Sequence, residues 1–127
     1  MSIRQRRVAG LIRAEVGSIL QTRLRDPEIG FVTVTDVQVS GDLRHAEVLV
    51  SVLGTEAERE QTMNALRRAQ AFVRAEVAQV LDLRYAPEIV FLYDHSIERG
   101  ARIFELLAEI RETQKQDESE KDEGKSG

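Results

Sequence analysis

The chain has 127 residues, no cysteine, and a formal net charge of −4. This length suits one domain with a single hydrophobic core. The lack of cysteine excludes disulfide scaffolds and thiolate metal sites, and no apolar run reaches the roughly 18 residues of a membrane helix. Because no apolar signal-peptide segment follows the basic start of the chain, we expect a cytoplasmic protein with no membrane partner.

Charge is distributed unevenly along the sequence. Residues 1–25 hold six arginines and one glutamate, whereas residues 26–112 hold nine arginines and sixteen acidic residues. An acidic protein with this segregation can still present a basic face to nucleic acid. A GC-rich genome would also favour arginine over lysine throughout the chain. The preference for arginine is therefore weak evidence for nucleic-acid binding.

An amphipathic helix is predicted for residues 3–24, and Asp26-Pro27 ends it because the residue before proline disfavours helical geometry. Its apolar stripe consists of Val8, Leu11, Ile12, Val16, Ile19, Leu20 and Leu24. The arginines on its polar side are Arg4, Arg6, Arg7 and Arg13. Cations in the first turns oppose the helix dipole, and an anionic partner would explain them.

Two strands follow, over residues 31–40 and 45–52, and both contain alternating β-branched side chains. The short turn at Ser40-Gly41-Asp42 predicts an antiparallel hairpin. Within the first strand the valines change from even-numbered to odd-numbered positions, which would move them to the other face of a regular strand. We therefore expect a β-bulge near Thr35-Asp36.

A second helix is predicted from the capping-box pair Thr55 and Glu58 to about residue 82. Arg67 and Arg74 are seven residues apart and would share a face of one continuous helix.

Residues 88–93 predict a third strand, and Ser96 can cap a last helix. From residue 113 the sequence is polar, charged and free of aromatic residues, which is typical of disorder. We therefore assign residues 1–112 to one domain and residues 113–127 to a disordered, charged tail.

The predicted order α-β-β-α-β-α belongs to the α+β class. A strand–helix–strand connection within one sheet is parallel, so the second strand has one antiparallel and one parallel neighbour. The simplest architecture is a three-stranded mixed sheet, in the order 1-2-3, with helices on one face.

No group of residues suggests catalysis. The sequence has no glycine-rich phosphate loop, and its two histidines lack metal-ligand spacing. Asp94-His95-Ser96 contains the residue types of a catalytic triad, but triads are assembled from distant segments, and capping at a strand–helix junction explains these residues better. Asp36 and Asp42 suit bulge and turn roles. We expect no catalytic residue, no metal site and no cofactor.

The chain resembles the bacterial ribosome-binding factor A family from about Arg6 to Leu107. The similarity depends on the order and spacing of separate motifs, each weak by itself. They are Arg6-Arg7-Val8, Asp26-Pro27, Val32-Thr33-Val34-Thr35, Ser40-Gly41-Asp42-Leu43, Ala69-Gln70-Ala71-Phe72-Val73-Arg74, Leu83-Arg84, Pro87 and Arg102-Ile103. The resemblance implies a single type II KH-like domain.

In this family a kinked helix, typically with Ala-x-Gly, replaces the Gly-x-x-Gly loop of other KH domains. The chain has Ala69-Gln70-Ala71 at this place, so alanine, the best helix former, stands where glycine is typical. Two outcomes are open: a straighter helix, or a bend imposed by the packing of the two helix halves.

The resemblance also implies a function. The chain would bind free small (30S) ribosomal subunits through 16S rRNA and assist late maturation, including processing of the rRNA 5′ end, above all in the cold. It would be a monomer without enzymatic activity, with ribosomal proteins as further partners. RNA affinity depends mainly on phosphate neutralisation by convergent cations. The arginines that we assign to RNA binding are Arg4, Arg6, Arg7, Arg13, Arg67, Arg68, Arg74 and Arg84.

Two alternatives accompany this assignment. Any single arginine could be paired locally or be merely solvated, and the acidic middle segment could instead make the chain a protein-interaction module that binds a basic ribosomal protein. The sequence holds only two tyrosines and four phenylalanines. Since we expect most of them in the core, few platforms for base stacking would remain.

Overall fold

The computed structural model describes the backbone of residues 1–24 and 26–126 and the side chains of residues 1–24 and 26–115. Its elements are α1 (Ile3–Thr22), β1 (Phe31–Val39), β2 (His45–Leu53), α2 (Glu56–Arg68), α3 (Gln70–Val80), β3 (Glu88–Tyr93) and α4 (Ser96–Ser126). The chain divides into two compact units, the first ending at Asp94 and the second beginning at His95.

Helix α1 begins with a capping box in which the Ser2 hydroxyl accepts from the Gln5 amide at 3.1 Å and the Gln5 side chain accepts from the Ser2 amide at 2.8 Å. Both contacts satisfy N–H groups that have no partner within a helix. The predicted apolar stripe is buried at Val8, Ile12, Val16 and Ile19, while Leu11 is exposed. The prediction of an N-terminal amphipathic helix is confirmed.

The sheet has the order β1-β2-β3, with β1 antiparallel and β3 parallel to β2. This topology confirms the predicted mixed sheet. The register shifts between Val34 and Asp36, which leaves Thr35 as the extra residue of the predicted bulge. The bulge directs the Thr35 hydroxyl to the carboxylate of Asp94, to which it donates a hydrogen bond of 2.6 Å.

The hydrophobic core lies on one face of the sheet. Alternate residues of β2 are buried, from Ala46 to Val52, and the buried Phe91 of β3 lies in register with Val48. Leu66 of α2 and Val73 of α3 belong to the same cluster, together with the stripe of α1. Because burial of one such side chain contributes about 1.5–3 kcal/mol, this cluster sets the positions of the helices on the sheet.

The long helix expected from Thr55 to about residue 82 is broken at Ala69, between α2 and α3. The backbone of Ala69 has φ −85° and ψ −4°, and this negative φ does not require glycine. Its amide is shared between the carbonyls of Ala65 and Leu66, each at 3.1 Å. The sequence left open a straighter helix or a bend, and the structure has a break between two helices at Ala69. Ala71, at the position where the family typically has glycine, lies within α3 and is exposed.

The second unit contains α4, whose bounds include most of the segment predicted to be a disordered tail; residues 113–115 are helical. The side chains from residue 116 onward lie outside the described residues, so the prediction of a disordered tail at 113–127 and of a domain ending at 112 stays a prediction. Among the helices that the structure describes, none is long and apolar enough to cross a membrane.

Candidate nucleic-acid interface

The four arginines on the polar side of α1 are exposed and uncompensated. Within the described part of the chain, none of Arg4, Arg6, Arg7 and Arg13 forms a salt bridge or a side-chain hydrogen bond, and the first turn of α1 contains no acidic residue. Arginine guanidinium groups bind phosphate oxygens with two parallel N–H donors. This surface can therefore take up anionic charge without first breaking an internal ion pair.

The arginines around the helix break have internal partners. Arg68 forms a hydrogen-bonded ion pair with Glu28 and approaches Asp26 at 3.9 Å. Arg74 donates to the carbonyl of Ala86 at 3.0 Å. Both residues thus hold loops of the first unit in place, which agrees with the alternative of local pairing.

Arg67 donates to the Asn64 side chain at 3.0 Å and is otherwise exposed. The expectation that Arg67 and Arg74 share one helix face loses its premise, because the break at Ala69 places them on different helices. The face argument assumed a continuous helical period.

The helix-kink motif Ala69-Gln70-Ala71 contacts the sheet through its middle residue. The Gln70 side-chain oxygen accepts from the amide of Phe91 at 3.0 Å. In this way Gln70 satisfies an N–H group that β3 cannot pair with β2. The contact fixes the break against β3 and leaves Ala71 and Phe72 at the surface.

Two predicted arginines from distant parts of the sequence, Arg4 and Arg84, line one cavity together with Arg44 and Tyr85. The sequence reasoning missed both Arg44 and Tyr85. Arg44 directly follows the β1–β2 turn, and Tyr85 directly follows Arg84. The pairing of an arginine with an adjacent aromatic residue at positions 84 and 85 is the sequence pattern that could have indicated this site.

The expectation that most aromatic residues lie in the core is wrong. Only Phe91 is fully buried and Tyr93 is partly buried, whereas the remaining four side chains are exposed. The exposed ones are Phe31, Phe72, Tyr85 and Phe104. More surfaces for base stacking are therefore available than the sequence predicted.

Specific contacts shift the pKa values of Asp42 and Arg23. The Ser40 hydroxyl, at 2.6 Å, and the Arg44 amide hold the pKa of Asp42 below its usual value, and these bonds lock the β1–β2 turn. Glu15 and Glu76, at 2.5 and 2.6 Å, raise the pKa of Arg23. Arg23 therefore joins α1 to α3 rather than facing a ligand.

Acidic residues and a histidine that could have served catalysis or metal binding instead make contacts within the fold. Asp36 accepts from the amide of Val37 at 2.9 Å, and Asp94 accepts from Thr35. His45 is exposed on β2, 3.4 Å from Glu88. Across the residues that the structure describes, no group of three or more acidic or histidine side chains could hold a metal ion.

Comparison with known proteins gives a consistent family. A model of the family described as ribosome-binding factor A matches residues 4–107. The ribosome-binding factor A of Halothermothrix orenii is 46% identical over 121 residues, which are 95% of this chain and 97% of the relative. That of Desulfitobacterium hafniense is 47% identical over 123 residues, 97% of this chain and 94% of the relative.

Solved structures show the same fold. A Thermotoga maritima protein determined by solution NMR matches with a TM-score of 0.65 and 40% identity, over 72% of this chain and 88% of that chain. A Thermus thermophilus ribosome-binding factor A, a homology model fitted into a cryo-EM map of its complex with 30S, matches with a TM-score of 0.57 and 26% identity, over 68% of this chain and 91% of that chain. The type II KH-like arrangement is consistent with these neighbours. The chain belongs to the ribosome-binding factor A family.

Proposed function

We propose that this chain binds the free small ribosomal subunit through 16S rRNA and assists its late maturation, including processing of the rRNA 5′ end. Family membership over residues 4–107 supports this function, as does the Thermus thermophilus relative fitted into a 30S complex. We further propose that the protein acts as a monomer in the cytoplasm, as a binding factor and not as an enzyme.

The observation that carries the proposal is the row of exposed, unpaired arginines on α1. Each phosphate contact releases condensed counterions, so a surface with several free arginines binds RNA strongly at low salt and weakly at high salt. Arg4, Arg6, Arg7 and Arg13 are the primary contacts in this proposal. Arg84 adds to them at the cavity, while Arg67, Arg68 and Arg74 act near the helix break.

The test is co-sedimentation of the purified protein with isolated small subunits and, separately, with assembled ribosomes, at low and high salt. We expect salt-sensitive binding to the free subunit and little binding to the assembled ribosome. Equal binding to both particles, or binding that is insensitive to salt, would contradict the proposal. A 16S rRNA 5′-end assay in cells depleted of the protein then tests the maturation role.

A second candidate is a protein-interaction module that binds a basic ribosomal protein. The exposed acidic side chains on α2, Glu56 and Glu60, favour it. Replacement of Glu56 and Glu60 by glutamine would then weaken capture of ribosomal proteins prepared without RNA. Under the rRNA-binding proposal, the same double variant sediments with small subunits at least as well as the unmodified protein.

A further inference from the structure

A cavity of about 210 Å³ opens on the first unit where three segments meet. Arg4 comes from the first turn of α1, Arg44 from the end of the β1–β2 turn, and Arg84 and Tyr85 from the loop between α3 and β3. Although these segments are far apart in the sequence, the topology of the sheet places three arginines around one opening.

Tyr85 lies against two of these arginines. The guanidinium carbon of Arg44 is 5.0 Å from the centre of the Tyr85 ring, and that of Arg84 is 5.4 Å from it. Both distances lie within the range of cation–π contacts. Two positive charges therefore lie beside one ring, and a bound anion would offset them.

The polarity of the lining also favours an anion. Among the residues that the structure describes, Asp42 is the one acidic residue that lines the cavity, and its Oδ1 atom accepts from the Ser40 hydroxyl and the Arg44 amide. The hydrogen bonds of that carboxylate oxygen therefore lie within the β1–β2 turn. The three guanidinium groups outnumber the one carboxylate, and each supplies planar donors that match phosphate oxygens.

The dimensions indicate which anion would fit. Sites for complete small-molecule ligands usually exceed about 300 Å³, so this cavity suits one phosphate group of a longer chain better than a free nucleotide. Tyr85 is 54% exposed and offers an aromatic surface beside that phosphate. In a duplex the bases are stacked inside and cannot reach the ring, whereas the unstacked bases of a single strand can.

We propose that Arg4, Arg44, Arg84 and Tyr85 bind one phosphate group of a single-stranded RNA segment, with Tyr85 orienting Arg44 and Arg84. The source of that RNA, the small-subunit rRNA, rests on the proposed function. Arg44 and Tyr85 are new members of the RNA surface, and Tyr85 acts as a positioning residue for the two guanidinium groups.

The experiment measures the affinity of the full chain for a labelled oligouridine, and for an RNA duplex of the same length, over a range of salt concentrations. The variants are Arg44→Gln, Arg84→Gln, Tyr85→Leu and Tyr85→Phe, with Arg111→Gln of α4 as the control for loss of one exposed arginine. Circular dichroism and thermal melting of each variant verify the fold.

We expect Arg44→Gln and Arg84→Gln each to weaken oligouridine binding about tenfold and to reduce the slope of log K against log salt by about 0.7. Tyr85→Leu weakens binding, Tyr85→Phe retains it because the ring remains, and the control leaves affinity and slope unchanged. Arginine variants that match the control, or equal behaviour of the two Tyr85 variants, would overturn the pocket. An equal loss on the duplex would overturn its preference for single strands.

Parallel co-sedimentation with small subunits keeps the two proposals distinguishable. If the unmodified protein fails to sediment with free subunits, the proposed function is wrong whatever the oligouridine data show. If it does sediment, and Arg44→Gln still binds oligouridine like the control variant, only the pocket is wrong.

Discussion

At the scale of single residues, the bulge residue Thr35 forms a partly buried hydrogen bond from β1 to the residue that follows β3. Its hydroxyl donates to the carboxylate of Asp94, which is only 8% exposed. Replacement of Thr35 by valine keeps the shape and removes the donor, so the buried carboxylate loses one hydrogen bond. We expect a loss of about 1–3 kcal/mol in the free energy of unfolding, measured by urea denaturation. Thr33→Val, at an exposed position of the same strand, is the matched control and should change stability little.

Asp42 makes the β1–β2 turn sensitive to acid. Its pKa is held below the ordinary value of 3.8 by the Ser40 hydroxyl and the Arg44 amide, so the folded state binds its proton less readily than the unfolded chain does. This stabilisation is present above the unfolded pKa and is lost as pH falls through the lower, folded value. We expect the urea midpoint of the unmodified protein to exceed that of Asp42→Ala near neutral pH and to converge with it in acid. A gap that persists in full at the lowest pH would contradict this role.

At the scale of elements, the break between α2 and α3 does not need the glycine that is typical of the family. The break lies at Ala69, in right-handed backbone geometry, whereas Ala71 is already inside α3. Glycine within a helix costs roughly 0.5–1 kcal/mol relative to alanine. We therefore expect Ala71→Gly to lower the free energy of unfolding by about that amount. Higher stability of Ala71→Gly in thermal melting would show that Ala71 strains the break.

The same elements show what local sequence can predict. The capping box at Thr55, the bulge at Thr35 and the topology of the sheet follow from short-range patterns, and all three are confirmed. The family resemblance indicated where a break could lie, at Ala69-Gln70-Ala71, but local sequence could not show that it forms, because alanine and glutamine favour a continuous helix. The contact that fixes it, from the Phe91 amide to Gln70, joins residues 21 positions apart and is visible only in the folded chain.

At the scale of the whole molecule, the sequence predicted a basic end on an acidic protein but not the state of each arginine. Clustering of charge on α1 follows from helical spacing, so that part of the candidate site could be predicted. The pairing of Arg68 with Glu28, forty residues away, could not. The convergence of Arg4, Arg44 and Arg84 also requires the packing of three separate segments.

Because some arginines are free and others are paired, two matched variants can distinguish effects on RNA binding from effects on stability. Arg6 and Arg7 are exposed and have no salt bridge or side-chain hydrogen bond within the described residues, so Arg6→Gln/Arg7→Gln removes only surface charge. Arg68→Gln instead leaves Glu28 without its ion-pair partner.

We expect the double variant Arg6→Gln/Arg7→Gln to weaken binding to small subunits at least tenfold, with a melting temperature close to that of the unmodified protein. Arg68→Gln should lower stability by up to about 1 kcal/mol, because both partners are substantially exposed, and weaken binding less. The two measurements are subunit co-sedimentation at fixed salt and thermal melting. If Arg68→Gln instead weakened binding more than the double variant, the RNA surface would lie at the helix break and not on α1.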